Sequence, residues 1–400
     1  MNHITEMITR RPLARPLFLW IMGILLYAYV PDRWLFGLLF TGWLLLLLGV
    51  GVNSLYQNGS LGYAYRWLSG LPLALLLLTL SVETCYLRER YPATAFPTVQ
   101  QKVAEVQGRW VSRLDALSLS DAEKSVLATL TLGYRQAMPR EVRQQFAAAG
   151  VAHVLAVSGF HVAVVCGLLS GLTRFLRRWA WGRWLRYLLL LGGLWSFACL
   201  TGLSSSSVRA SLMFTFYLTG KHLDQQIDSM NTLAAAAFCM LVYRPDYLFD
   251  VGFQLSFLAV WFIVAWLPIF QKCMVVRNPL LAYPWNSLLV ALAAQLGTFG
   301  LTFFYFHQVS LLFLWVSFPV SVIASWLLPA TWLWLCLPFG GWIASVGQRS
   351  IEWLTAVMLR WVEQCAAWPF ATLRWSCGEV EVIMIYALLG LGWVLLDKKL

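Results

Sequence analysis

The sequence predicts an all-α, polytopic integral membrane protein. Hydrophobic residues make up 60% of the 400 residues and charged residues only 12%, whereas soluble domains are about one quarter charged. Long apolar runs recur along the chain, for example 36–50, 71–80 and 188–200. The chain also carries 22 tryptophans, a residue type that gathers at membrane interfaces. These features indicate about 9 to 12 transmembrane helices, some of them broken or lying in the interface.

The candidate crossings are the apolar segments of the chain. They lie near residues 13–30, 34–50, 66–83, 151–173, 184–201, 205–219, 230–243, 253–270, 287–306, 310–329, 331–348 and 380–396. Glycine and proline interrupt several of them, notably near Gly202, Pro319 and Pro329. We therefore expect some of these segments to be re-entrant or to lie flat.

The positions of the basic residues explain the net charge of +11. Arg10, Arg11 and Arg15 precede the first apolar segment. The loop after the fourth segment has no acidic residue and contains Arg174, Arg177, Arg178, Arg183 and Arg186. Because basic loops face the cytoplasm, the N-terminus and this loop are predicted inside, and residues 84–150 outside. A basic cytoplasmic face explains the charge better than affinity for nucleic acid does.

The pattern of polar residues divides the chain into four parts. These are N-terminal transmembrane segments (1–87), a short polar helical connector on the periplasmic side (88–150), the main block of spans (151–348), and an amphipathic interfacial helix with a final transmembrane helix (349–400). In the connector, Ser120 and Glu123 have the spacing of a capping box that opens a helix. Charges of both signs are mixed there, so we expect a solvated connector rather than a catalytic domain.

The apolar segment 151–169 carries three polar side chains that need an explanation: His153, Ser158 and His161. Polar groups in hydrocarbon cost free energy, so they normally face a protein interior or a water-filled path. Hydrogen bonds between helices, a serine nucleophile with a histidine base, and metal binding are the alternatives. The segment has neither a G-x-S-x-G nor an H-E-x-x-H motif, which argues against the last two. Gly159 permits a close backbone approach or a break in the helix.

Two further segments place charged residues beside apolar runs. In TGLSSSSVRASLMF, four serines after Gly202 form a flexible, hydroxyl-rich stretch before Arg209. The Arg209 guanidinium either binds phosphate or a carboxylate, or snorkels to the interface. In RPDYLFDVGFQLSFLAV, Asp246, Asp250 and Gln254 recur every four residues and would form one polar helix edge. Asp250 either pairs with Arg209 or a histidine, or caps the following helix.

Together these segments resemble the ComEC-type competence proteins, inner-membrane channels that admit transforming single-stranded DNA. The resemblance rests on AGVAHVLAVSGFHVAVV, TGLSSSSVRASLMF, RPDYLFDVGFQLSFLAV and AQLGTFGLTFFYFHQVSLL, which occur in this order. It implies that 151–348 is a competence-type channel domain. The candidate residues of the DNA path that it implies are His153, Ser158, Gly159, His161, Gly202, Arg209, Asp250, Gln254 and Ser256.

The function implied by this resemblance is that of a multi-pass channel component in the bacterial cytoplasmic (inner) membrane, which passes single-stranded DNA into the cytoplasm during natural transformation. We expect no catalytic activity, no cofactor and no bound metal. The implied partners are single-stranded DNA, the lipid bilayer, a separate nuclease, a periplasmic DNA receptor, a cytoplasmic ATP-driven translocase and further copies of the chain. The alternatives are a small-molecule or lipid transporter, or a non-transporting membrane assembly protein, on the same scaffold.

The sequence lacks two domains that full-length members of that family contain. Residues 88–150 are too short and too helical for the OB-like domain, and no HxHxDH motif of the metallo-β-lactamase-like domain occurs among the five histidines. We therefore expect a short member that lacks both domains and does not degrade the second strand.

Overall fold

The structure, a computed structural model, describes residues 11–30, 37, 42–49, 51, 70–91, 97–134, 138–273, 276, 278–336 and 341–397. The helices are α1 (Ala14–Tyr29), α2 (Gly70–Arg90), α3 (Pro97–Leu114), α4 (Asp121–Leu132), α5 (Arg140–Ala148), α6 (Ala152–Leu155), α7 (Gly159–Leu172), α8 (Ala180–Leu200), α9 (Ser205–His222), α10 (Ser229–Tyr243), α11 (Val251–Cys273), α12 (Pro279–Phe306), α13 (Phe313–Cys336), α14 (Trp342–Ala366) and α15 (Glu379–Asp397). The described residues also form two 3-10 helices, η1 (Arg174–Arg178) and η2 (Pro245–Phe249), and two strands, β1 (Gln308–Ser310) and β2 (Thr372–Arg374).

The fold is that of an all-α polytopic membrane protein, as predicted. Among the described residues, α11, α12, α13 and α15 each contain a stretch long and apolar enough to cross a bilayer. Helices α1, α7 and α10 are apolar but shorter. The number of crossings stays a prediction. The predicted spans 34–50 and 66–83 lie only partly within the described residues, and Arg10 lies outside them.

The late spans are divided differently from the prediction. Helix α13 continues through Pro319 and Pro329 to Cys336, so the separation into spans 310–329 and 331–348 is wrong. Prolines are tolerated inside membrane helices because neighbouring groups satisfy the freed backbone carbonyls. The side chains of Val316 before Pro319, Leu327 between the prolines and Leu335 after Pro329 are all buried, so one face of α13 stays packed on both sides of the two prolines.

The chain forms two compact units: unit 1 (residues 1–95 and 226–250) and unit 2 (residues 96–225 and 251–400). In unit 1, α1 packs closely on α2 at Gly23, where a Cβ atom would lie 2.6 Å from the Cβ of Ser81. The Ser81 hydroxyl donates a hydrogen bond of 2.7 Å to the carbonyl of Trp20. The glycine therefore allows a buried interhelical hydrogen bond at the point of closest approach.

Helix α4 lies in the main hydrophobic core of unit 2. Val126, Leu127 and Leu130 are fully buried in a cluster that also contains Phe146 of α5 and residues of α13 and α14. The expectation of a solvated connector is therefore wrong for α4. Its acidic residues lie in the first turn, where the positive end of the helix dipole stabilises their negative charge. The rest of the helix is apolar enough to be buried.

The predicted capping box at the start of α4 is confirmed. The Ser120 hydroxyl accepts from the backbone N–H of Glu123 at 3.3 Å, and a Glu123 carboxylate oxygen accepts from the Ser120 N–H at 2.9 Å. We expect Ser120→Ala to lower the free energy of unfolding by about 1 kcal/mol. Chemical denaturation in detergent, followed by far-ultraviolet circular dichroism, measures this difference.

A matched control for this prediction is Ser112→Ala. Ser112 is exposed within α3 and its hydroxyl donates only to the carbonyl of Arg109 in the same helix, so its loss should change stability by less than about 0.5 kcal/mol. Equal effects of the two substitutions would contradict the capping role of Ser120.

Helix α14 is amphipathic, as predicted, but begins at Trp342 rather than at residue 349. Ile351, Met358 and Val362 are fully buried and belong to the same core cluster as α4 and α13. Trp361 of the same helix is 37% exposed. The protein itself thus covers the inner stripe of this helix, and its location in the membrane interface stays a prediction.

Candidate DNA path in unit 2

The first motif contains a helix break, so its expected single span 151–173 is wrong. Helix α6 ends at Leu155, and Ala156 and Ser158 have extended backbone conformations before α7 begins at Gly159. A Cβ atom on Gly159 would lie 3.7 Å from the Cβ of Ala210, an ordinary contact. Gly159 therefore marks the break rather than a close approach of two helices.

Ser158 and His161 form a cap at the start of α7. Ser158 precedes the helix, and the Nδ1 atom of His161 accepts from the Ser158 backbone N–H at 3.2 Å. The Ser158 hydroxyl lies 3.1 Å from the same Nδ1 atom. His161 thus occupies the position that glutamate or glutamine takes in a capping box.

The second ring nitrogen of His161 has a different environment. With Nδ1 accepting from an N–H, the neutral ring carries its proton on Nε2. The His161 side chain is fully buried, and Nε2 has no hydrogen-bond partner in the described part of the chain. A serine–histidine pair used for nucleophilic catalysis has a third group on this nitrogen, so the geometry here is that of a helix cap.

The second motif forms a tight turn before α9. Gly202 and Leu203 have φ angles of 76° and 51°, a left-handed conformation that glycine adopts without a steric penalty. The Ser204 side chain accepts from the N–H of Ser207 at 3.3 Å, and the Ser206 hydroxyl donates to the carbonyl of Val157. Ser204 and Ser206 are therefore hydrogen-bonded at the start of α9, which differs from the expected flexible stretch. The Ser206 bond joins the second motif to the helix break of the first.

Arg209 lies on α9 and is only 4% exposed. Its Cζ atom lies 5.4 Å from the centre of the Phe257 ring on α11, a cation–π contact with the third motif. Snorkelling to the interface is therefore wrong for this arginine, because its charge is enclosed by protein. The sequence did not indicate Phe257 as the partner of Arg209, although Phe257 belongs to the third motif.

The third motif is not one continuous helix. Asp246 lies in η2 and Asp250 follows it, whereas Gln254 lies in α11, so the predicted single polar edge of these three residues is wrong. Asp250 is exposed and directly precedes Val251, the first residue of α11. Its pairing with Arg209 or a histidine stays a prediction.

Gln254 joins the third motif to the fourth. Its Oε1 atom accepts a hydrogen bond of 2.9 Å from the hydroxyl of Tyr305 on α12.

The remaining candidate residues are Ser256 and His153. Ser256 is half-buried on α11. His153 is exposed on α6, with its ring 5.7 Å from that of Phe313 at the start of α13.

A pair of strands lies at the end of the fourth motif, which contains β1. Strand β1 pairs antiparallel with β2 in the register Gln308–Arg374, Val309–Leu373 and Ser310–Thr372. Neither strand was predicted, since three residues are too few to show a sequence period. The three contacts Ser206–Val157, Arg209–Phe257 and Gln254–Tyr305 therefore connect the four motifs in series within unit 2.

Comparison with known proteins matches the region of the chain that holds the four motifs. A family model described as Competence protein matches residues 130–399, the region that holds all four motifs. The chain is 30% identical to ComE operon protein 3 of Bacillus subtilis (strain 168) over 222 residues, which are 56% of this chain and 27% of that protein. It is 26% identical to Uncharacterized protein YcaI of Escherichia coli (strain K12) over 146 residues, which are 36% of this chain and 19% of that protein.

The matched region thus spans about a quarter of one of these relatives and a fifth of the other. No solved structure matches the chain. The family model, however, covers more than half of the chain, and on that ground the chain belongs to the competence protein family.

Proposed function

We propose that this chain is a channel component that passes single-stranded DNA across the cytoplasmic (inner) membrane during natural transformation. The observation that carries the proposal is the family match over residues 130–399, which contains every motif of the ComEC-type resemblance. The proposed path is formed by the motif residues, with 151–348 as the channel domain and 88–150 on the periplasmic side.

The buried positive charge of Arg209 supports a path for a polyanion. A fully enclosed positive charge is costly among apolar helices and usually marks a functional position. DNA presents one phosphate per nucleotide, and a guanidinium binds phosphate through two parallel hydrogen bonds. Binding at any one position has to be weak for the strand to keep moving. A nuclease, a periplasmic DNA receptor and an ATP-driven translocase are the proposed partners that supply the remaining steps.

Deletion of the gene in a naturally transformable host tests this proposal. We expect transformation to fall to background while capture of double-stranded DNA at the cell surface stays at the wild-type level, because only the passage of one strand is lost. Transformation frequency and the amount of surface-bound labelled DNA measure the two steps. Expression of the full chain from a plasmid should restore transformation, which excludes an effect on neighbouring genes.

Transformation that survives the deletion would refute the channel function. Loss of surface capture together with transformation would indicate an assembly protein that acts earlier. Normal transformation combined with altered membrane lipid composition or solute uptake would favour a transporter of lipids or small molecules on the same scaffold.

A further inference from the structure

A basic corner lies where η1 meets the first turns of α8, at one end of the α7–α8–α9 group in unit 2. We define it by six cations: Arg174, Arg177, Arg178, Arg183, Arg186 and Lys221. Gly182 allows the two elements to meet, since a Cβ atom there would lie 2.1 Å from the carbonyl oxygen of Leu176. Leu176 is itself buried, so the corner is a packed turn.

Cations from three different elements converge at this corner. Arg177 of η1 lies close enough to Arg186 of α8 for the two positive charges to act on each other. The charges of Arg186 and of Lys221 at the end of α9 both act on the thiol of Cys166 in α7. Arg177, Arg186 and Lys221 therefore belong to one group of like charges at the ends of η1, α8 and α9.

Aromatic contacts hold the end of α9 against α8. The ring of His222 stacks on Tyr187 at 4.7 Å and meets Trp184 edge to face at 4.2 Å. The Tyr187 hydroxyl forms a 2.8 Å hydrogen bond with the hydroxyl of Thr219. These contacts fix the position of Lys221 relative to the arginines of α8.

None of the six cations forms an ion pair in the part of the chain that the structure describes. The ion pairs found there, Arg11–Asp228 and Arg244–Asp246, involve none of the six cations. The Nε atom of Arg186 is buried without a hydrogen-bond partner. Like charges repel more strongly near a low-dielectric interior than in water, so an anion bound between them would relieve the repulsion.

The residues around the basic corner indicate which kind of anion suits it. Trp179, Trp181 and Trp184 are 50%, 64% and 58% exposed, and exposed tryptophan is typical of the membrane interface. Leu188 and Leu189 continue along α8 and are also exposed. An apolar helix surface next to a group of arginines matches the two ends of a phospholipid, with acyl chains along α8 and phosphate at the guanidinium groups.

We propose that the basic corner binds the headgroup of an anionic phospholipid. A nucleic-acid strand also offers phosphates, but it has no part that would cover the exposed leucines. The bound lipid would neutralise Arg177 and Arg186 and hold the η1–α8 corner at the membrane surface.

Native mass spectrometry of the full chain in detergent tests this proposal, with phosphatidylglycerol and phosphatidylcholine as probes. We expect the wild-type protein to retain phosphatidylglycerol in preference to phosphatidylcholine. The double substitution Arg177→Gln and Arg186→Gln should weaken phosphatidylglycerol retention by roughly fivefold for each arginine. The matched control replaces Arg140 and Arg143, two exposed arginines of α5, by glutamine and should retain the lipid like the wild type.

Unchanged phosphatidylglycerol retention in the double variant would overturn the proposal, as would an equal loss in the control. A labelled oligothymidylate provides the other comparison. If the double variant loses binding of the oligonucleotide but keeps the lipid, the corner binds nucleic acid and the lipid proposal fails. Arg177→Gln alone removes one exposed side chain and should give a loss of about fivefold even if the double variant does not fold.

Discussion

Replacing Arg209 by methionine is expected to reduce the entry of single-stranded DNA by about 10- to 100-fold, because a hydrogen bond between charged groups contributes about 1.5–3 kcal/mol. Methionine fills much of the same volume and retains the contact with Phe257, but it cannot bind phosphate. The measurement is the amount of labelled strand protected from external nuclease, divided by the amount of membrane-inserted protein.

Arg209→Lys separates the charge from the shape of the guanidinium group. Lysine keeps the positive charge but loses the planar fork that binds phosphate through two bonds. We expect an uptake between those of the wild type and Arg209→Met. The control is Arg143→Met, which removes an exposed arginine of α5 and should leave uptake unchanged.

Two outcomes would contradict a direct role of Arg209 in the path. One is normal uptake by Arg209→Met at wild-type protein levels. The other is a loss of uptake that is fully explained by a lower unfolding temperature in detergent. In the second case Arg209 is needed for the packing of α9 against α11, where its guanidinium contacts Phe257 at 5.4 Å.

The fold class was predictable because it depends on composition, which tertiary contacts do not change. Local signals were also reliable where the interacting groups are close in sequence. Ser120 and Glu123 are three residues apart, and their capping box is present. The predictions were wrong where burial in the protein core determines the structure. Helix α4 contains charged residues only in its first turn, yet the mixed charges of the whole connector concealed its apolar remainder.

The candidate residues were identified from the sequence, but their partners were not. Gln254 and Tyr305 are 51 residues apart, and Ser206 and Val157 are 49 apart. No single-sequence period encodes such pairs, since they depend on how the helices pack. Polar character in an apolar segment reveals that a residue needs a partner. It does not reveal whether that partner is another motif, the residue's own helix, or a ligand.

His161 illustrates this ambiguity, and two substitutions resolve it. His161→Phe removes the acceptor for the Ser158 N–H and leaves this part-buried donor unsatisfied, which costs about 1–3 kcal/mol. We expect the variant to unfold at a lower temperature in detergent and to lose DNA uptake. His161→Gln places the usual capping-box residue at this position, so we expect a stability close to that of the wild type and uptake within about twofold.

The comparison isolates the Nε2 atom, because glutamine replaces the Nδ1 acceptor but not the buried Nε2–H group. If His161→Gln is stable yet cannot take up DNA, Nε2 acts on the strand or on the path lining, and capping alone is insufficient. If both variants transport normally, the helix break at Ser158 does not need its cap. The expected pattern, in which glutamine rescues what phenylalanine destroys, would mean that His161 supports the path by fixing the start of α7 where the Ser206 hydroxyl reaches the Val157 carbonyl.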